Sequence, residues 1–201
     1  GSIELVNNDV SVVKNLLSKA TSIRVSETEE ERLLLWKGRK SAFPAVGRIS
    51  PDYYCMDGTI PKRHLGDVLE KINKLSRHYN LRVANVFHAG DGNLHPLILY
   101  DAGIPGELEK TEEFGNKILK ICIEAGGSIT GEHGVGVEKL DAMCYQYSEA
   151  ELDVFHQIKA AFDPHALLNP GKAVPTLHRC AELGNMHVHH GNLPHPELER
   201  F

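Results

Sequence analysis

Apolar residues recur at helical spacing along some stretches of the chain and at strand-like density along others. Val12, Val13, Leu16 and Leu17 predict a helix over residues 11–20, and Ile3-Glu4-Leu5-Val6 already reads as part of a structured element. Residues 23–25 form a short strand candidate. Ser26 with Glu29 three positions on is a capping-box signature ahead of an acidic first turn. The helix it opens runs through Leu33, Leu34 and Trp36 to about Ala42, where Pro44 stops it. Leu65, Val68, Leu69, Ile72, Leu75 and Tyr79 trace one apolar stripe, and Phe114, Ile118, Ile121, Cys122 and Ala125 trace another, ended by Gly126-Gly127. Ser148 and Glu151 form a second capping box, for a helix through Leu152, Phe155, Ile158 and Phe162 that Asp163-Pro164 closes. Strands are predicted over residues 53–56, ended by Asp57-Gly58, and over 81–88, 94–100 and 128–130.

From about Val174 the pattern is lost in a tail rich in His, Pro and Gly. The expected organisation is one domain over 1–173 and an irregular tail over 174–201. The central strand pair reads as a tight hairpin, so the fold class is α+β, a largely antiparallel sheet covered by helices. The 201 residues can bury a core without staples. A net charge of -5 with no basic run gives no electrostatic case for nucleic acid, and no apolar run approaches the roughly 18 residues of a membrane span. Cys55, Cys122, Cys144 and Cys180 include no C-x-x-C pair, so reduced, mostly buried thiols are expected rather than a cluster or thiolate zinc site. The start Gly1-Ser2, with no Met, reads as a cloning scar on an excised domain.

Four stretches carry candidate chemistry. In the first, His88-Ala89-Gly90-Asp91-Gly92-Asn93-Leu94-His95, Asp91-Gly92 is a preferred central pair of a type I′ turn. A turn centred there sets His88 opposite His95 on one face, where two imidazoles can converge on one divalent metal. Alone, two histidines across a hairpin are more often surface or packing residues. In the second, Gly131-Glu132-His133-Gly134, a regular strand would point the carboxylate and imidazole to opposite faces, whereas the flanking glycines permit a distorted backbone that serves one pocket. Glu132 can then complete a two-His, one-carboxylate site and His133 is left as a base, the plain alternative being a glycine-rich surface turn. The third, Trp36-Lys37-Gly38-Arg39, offers a guanidinium fork for a carboxylate, although cations late in a helix also suit its dipole. The fourth, Leu168-Asn169-Pro170-Gly171-Lys172, is by itself a turn after a helix.

Taken in order, these stretches resemble the C-terminal half of the vanillyl-alcohol-oxidase-type FAD-linked oxidases, to which D-lactate, D-2-hydroxyglutarate and glycolate dehydrogenases belong. Residues 43–48, 54–61 and the tail His187-Val188-His189-His190-Gly191 narrow the resemblance to the glycolate-oxidising branch. The resemblance implies a ferredoxin-like C-terminal substrate domain, truncated at its N-terminal side. It implies a divalent metal, Zn or Mn, on His88, His95 and Glu132, His133 as the active-site base, Arg39 on the substrate carboxylate, and Asn169 in the segment that approaches the flavin. FAD would be held mainly by a separate N-terminal domain, so this chain alone would fold without turning over. A small 2-hydroxy acid, glycolate or D-lactate, would be the substrate. Further partners would be the other subunits of a glycolate oxidase, an iron–sulfur subunit among them, in the cytoplasm or at the inner face of the membrane through those subunits. Residues near Arg39 differ from the D-2-hydroxyglutarate enzymes, so further substrate ligands are not carried over.

Two readings from other classes stay open at this point. A self-contained metal-dependent hydrolase or lyase on His88, His95 and Glu132 would turn over without flavin. A non-catalytic binding or docking module would take up no stoichiometric metal.

Overall fold

A computed structural model describes residues 1–175, so the His-rich tail with His187, His189 and His190 lies outside the described residues. Contacts group the chain into two compact units, Gly1–Ala45 and a second that begins at Val46.

The first unit holds helices α1 (Ile3–Leu16) and α2 (Glu29–Lys40). The Ser2 hydroxyl caps α1 by accepting the Leu5 N–H, which starts the helix well before residue 11. Helix α2 is capped by Thr28 and not by Ser26: the Thr28 hydroxyl accepts from Glu31 N at 3.2 Å, while the Glu31 carboxylate accepts from Glu27 N at 2.9 Å. Residues 26–31 contain two overlapping signatures, Ser26…Glu29 and Thr28…Glu31, and the later one places Glu29, Glu30 and Glu31 all in the first turn, where the helix dipole favours them. Residues 23–25 are not a strand. Helix α2 ends at Lys40, and a five-residue helix, α3 (Ala42–Val46), accommodates Pro44 within its first turn, where no intrahelical N–H is required.

The second unit is built on an antiparallel sheet of β1 (Asp52–Cys55), β2 (Gly58–Thr59), β3 (Val83–His88) and β4 (Asn93–Tyr100). β4 is central. β3 pairs along one edge of it, and β1 and β2 lie end to end along the other, interrupted by Met56-Asp57. Residues 128–130 contribute only an isolated bridge, Ser128 to Thr59, because Ile129 N turns away to the Gln146 side chain at 2.8 Å.

Alternation divides the sheet's side chains between its faces. Tyr54, Phe87, Leu94 and Ile98 join the core with Val68 and Ile72 of α4 (Leu65–Tyr79) and Phe114 and Ile118 of α5 (Glu107–Glu124). Tyr79 stacks on Phe114 with centroids 5.1 Å apart. Helix α6 (Leu140–Gln146) packs on α5 and has no strong signature in the sequence. Helix α7 (Glu149–Phe162) opens with the Ser148–Glu151 capping box, as expected. Cys55 and Cys122 are free thiols, but Cys144 departs from the expected reduced state and is disulfide-bonded.

Candidate metal centre

The hairpin joining β3 to β4 sets the first two ligands. Its register pairs His88 with Asn93 and Val86 with His95, so His88 does not face His95 directly. The loop is the four residues 89–92, with the Asp91 and Gly92 N–H groups both donating to the His88 carbonyl. The expected register is therefore wrong by two residues. A slip of two preserves the face, whereas a slip of one would have inverted it. His88 and His95 become diagonal neighbours, a relation that spans about 7–8 Å between backbones and is still within reach of long side chains. Their rings meet edge to face with centroids 5.4 Å apart.

Glu132 brings the third ligand. Its Oε1 lies 3.4 Å from His88 Nε2 and 3.7 Å from His95 Nε2. Ligand atoms that share one tetrahedral ion at bonds near 2.1 Å stand roughly 3.4 Å apart, so this triangle fits a single divalent cation with little movement. The Met56 carbonyl lies 3.3 Å from His95 Nδ1, and a carbonyl only accepts, so the proton belongs on Nδ1 and the Nε2 lone pair faces Glu132. The His95 side chain is 5% exposed and anchors the site, while His88 and Glu132, at 40% and 52%, open it to a ligand. Asn93 orients the carboxylate: Nδ2 donates to Glu132 Oε1 at 2.7 Å, and its buried Oδ1 has no partner among the described residues.

Glu132 and His133 serve the same pocket despite being adjacent. The His133 ring stacks on the His95 ring at 5.0 Å with 13° between planes. The cause is Asp57, fully buried in the break between β1 and β2. Its carboxylate accepts from the Thr130 hydroxyl at 2.7 Å, from His133 N at 2.9 Å, and from the N–H groups of Gly131 and Glu132. Lys139, itself buried, donates to the same carboxylate at 3.1 Å. Burial alone would raise the Asp57 pKa. The Thr130 hydroxyl, the His133 N–H, the Lys139 ammonium and the Glu132 N–H outweigh it and hold the carboxyl far below the usual range. One carboxylate thus folds residues 130–133 into a curl that turns both functional side chains toward His95.

The glycines of this segment have distinct reasons. At Gly131 a Cβ would stand 2.7 Å from the Asn93 amide, so the close approach that orients Asn93 excludes any larger residue. Gly134 has φ +80°, which lets the chain leave the curl.

The loop continues into a cavity of about 300 Å³ lined by His133, residues 134–139 and Lys172. Ala173 N donates to Gly136 O at 2.8 Å, which ties the Asn169–Lys172 turn to this loop. Asn169 is exposed, with φ +46°, in a turn whose preceding residues are held by Asp163: Leu167 N and Leu168 N each donate to its carboxylate at 2.9 Å. Arg39 is exposed in the last turn of α2, in the first compact unit, while His88, His95, Glu132 and His133 all belong to the second. Asp57, Lys139 and Asn93 were not foreseen from the sequence. Asp57-Gly58 reads as an ordinary strand-ending turn, and nothing periodic links Asp57 to a lysine 82 positions away.

The sequence model of one protein family, described as "FAD linked oxidases, C-terminal domain", matches residues 1–173. Glycolate oxidase subunit GlcD of Escherichia coli is 64% identical over 98% of this chain, and GlcD of Bacillus subtilis is 36% identical over 86% of it. A mitochondrial D-lactate dehydrogenase [cytochrome] of Saccharomyces cerevisiae is 32% identical over 87%. The chain spans 40%, 37% and 31% of the lengths of these three relatives, respectively.

Proposed function

The chain belongs to the FAD linked oxidase family as a C-terminal domain, and from that premise we propose that it is the substrate- and metal-binding part of a flavin-dependent glycolate oxidase or D-lactate dehydrogenase. The reaction is oxidation of a small D-2-hydroxy acid to the 2-oxo acid. The observation that carries this reading is the convergence of His88, His95 and Glu132 with an imidazole, His133, stacked beside them. A hydrolase or lyase would not call for membership of a flavin-linked family, and a pure docking module would not call for three ligand atoms set for one ion.

FAD, held mainly by an N-terminal domain of the whole protein, would supply the hydride acceptor, and a divalent cation such as Zn or Mn would supply Lewis acidity toward the substrate hydroxyl. His88, His95 and Glu132 would hold that cation, with Asn93 fixing the Glu132 carboxylate. His133 accepts the proton of the substrate 2-hydroxyl, a task suited to imidazole as a class. Its backbone is fixed by Asp57, so the ring is in place before substrate arrives. Arg39 binds the substrate carboxylate through paired hydrogen bonds, and the Asn169 turn approaches the flavin. Partner subunits of a glycolate oxidase, one with an iron–sulfur centre, would take the electrons onward, in the cytoplasm or at the inner face of the membrane.

The test is stopped-flow flavin reduction by the full-length, flavin-containing protein at saturating glycolate or D-lactate. His133→Asn lowers the reduction rate by about 10²–10⁴-fold while the metal is retained. Arg39→Lys loses a charge-assisted contact worth roughly 1.5–3 kcal/mol, seen mostly as weaker apparent binding. An unchanged reduction rate in His133→Asn contradicts the assignment.

A further inference from the structure

A second set of ligand atoms lies beside the first. Cys55 at the end of β1, His95 on β4 and His133 on the curl place one sulfur and two ring nitrogens within 4.8 Å of one another. The register explains the meeting. Cys55 pairs with Leu97, so it shares the sheet face of His95, two residues away. Cys55 Sγ and His95 Nδ1 approach the same Met56 carbonyl, at 3.4 and 3.3 Å, which puts thiol and imidazole on one side of the His95 ring. His133 covers that ring with its own, nearly parallel at 13°. Each of the three is fixed by a different device: a strand end, a central strand, and the Asp57-held curl.

We infer that Cys55, His95 and His133 form a site for a soft, thiophilic divalent cation, distinct in chemistry from the two-imidazole, one-carboxylate set. One thiolate with two imidazoles is a ligand set that Zn²⁺ and Cd²⁺ favour, and harder cations such as Mn²⁺ or Mg²⁺ do not. Ligand atoms on one such ion stand roughly 3.3–3.8 Å apart, so the set closes when the His133 ring turns out of its stack on His95 and brings a ring nitrogen toward Cys55 Sγ. Binding at His95 Nδ1 breaks the Cys55 S–H bond and moves the His95 ring proton from Nδ1 to Nε2; the thiol proton goes to solvent, a sulfur–metal bond forms, and no oxidation state changes. A cation seated there engages a ring nitrogen of His133. On the reading of His133 as the base, which this consequence alone rests on, the occupied site blocks proton abstraction. Because His95 belongs to both sets, the two cations exclude one another, and thiophilic cations would then inhibit by displacing the one on His88, His95 and Glu132.

The experiment is a Cd²⁺ titration of the chain, read by the ultraviolet charge-transfer band of a cadmium–thiolate bond. The band should grow to one equivalent in the unaltered chain, vanish in Cys55→Ser, and require more Cd²⁺ in His133→Asn. It should persist in Cys122→Ser, whose thiol is fully buried against Gly58, and in His88→Ala, which removes a ligand from the first set only. Absence of the band in the unaltered chain, or its survival in Cys55→Ser, overturns the inference. Loss of the band in His88→Ala also overturns it, by moving the cation to the first set. The band reports binding and not turnover, so this site and the proposed activity fail or stand separately.

Discussion

Helices α1 and α2 of the first unit and α4 and α5 of the second are alike in sequence, with apolar stripes and acidic first turns, but differ in what the stripes meet. No residue of α1 or α2 is buried: Leu33, Leu34 and Trp36 are 54%, 56% and 52% exposed. Helix α5 buries Thr111, Phe114, Gly115, Ile118, Leu119 and Cys122 against the sheet and α4. Periodicity and caps are enough to write a helix. Burial needs a second surface, and in the second unit the core face of β4 supplies it. The functional consequence follows from the same contrast, because His88 and His95 stand on the buttressed sheet and the Asp57-held curl brings Glu132 and His133 to them.

The comparison can be broken from its strong side first. Asp57→Asn leaves the buried Lys139 ammonium without its counter-charge and should cost about 3–5 kcal/mol in urea unfolding. A cost under 1 kcal/mol would mean that Asp57 does not organise the curl. Phe114→Ala should fall in a similar range, about 3–5 kcal/mol, since it empties the stack on Tyr79. On the weak side, Leu34→Ala in α2 should stay within about 0.5 kcal/mol, as for exposed positions generally. A large loss there would show that the stripe of the first unit contributes as much to stability as that of the second. The smallest effect is kinetic. Burial pushes the Cys122 thiol up to about 12 and the half-buried Cys55 thiol up to about 11. Both should alkylate far more slowly with iodoacetamide in the native chain than in urea at the same mildly alkaline pH. Equal rates would contradict their burial.

Legibility in the sequence follows the range of the interactions. The stripe of α4, the capping box of α7 and the glycine end of α5 are set by neighbours within a few residues, and each was legible. The cap of α2 was misplaced by two because residues 26–31 spell the signature twice. The hairpin was legible as a hairpin, but its register was not. Asp91-Gly92 favours a two-residue turn, whereas the structure spends four residues so that the Asp91 and Gly92 N–H groups close on His88 O. The two histidines survived that error only because the shift was even. The joint use of Glu132 and His133 was foreseen from the glycines that flank them. Its cause, a buried aspartate receiving donors from residues 73–82 positions away, leaves no local signature.

The central claim is that His88, His95 and Glu132 hold one divalent cation at the β3–β4 hairpin end of this sheet. The most direct test is metal content per chain after loading and dialysis, compared between the unaltered chain, His88→Ala, and a variant with His187, His189 and His190 all changed to Ala. The account predicts one tightly held ion in the unaltered chain, its loss in His88→Ala, and its retention when the tail histidines are removed. Retention in His88→Ala with loss in the tail variant would contradict it.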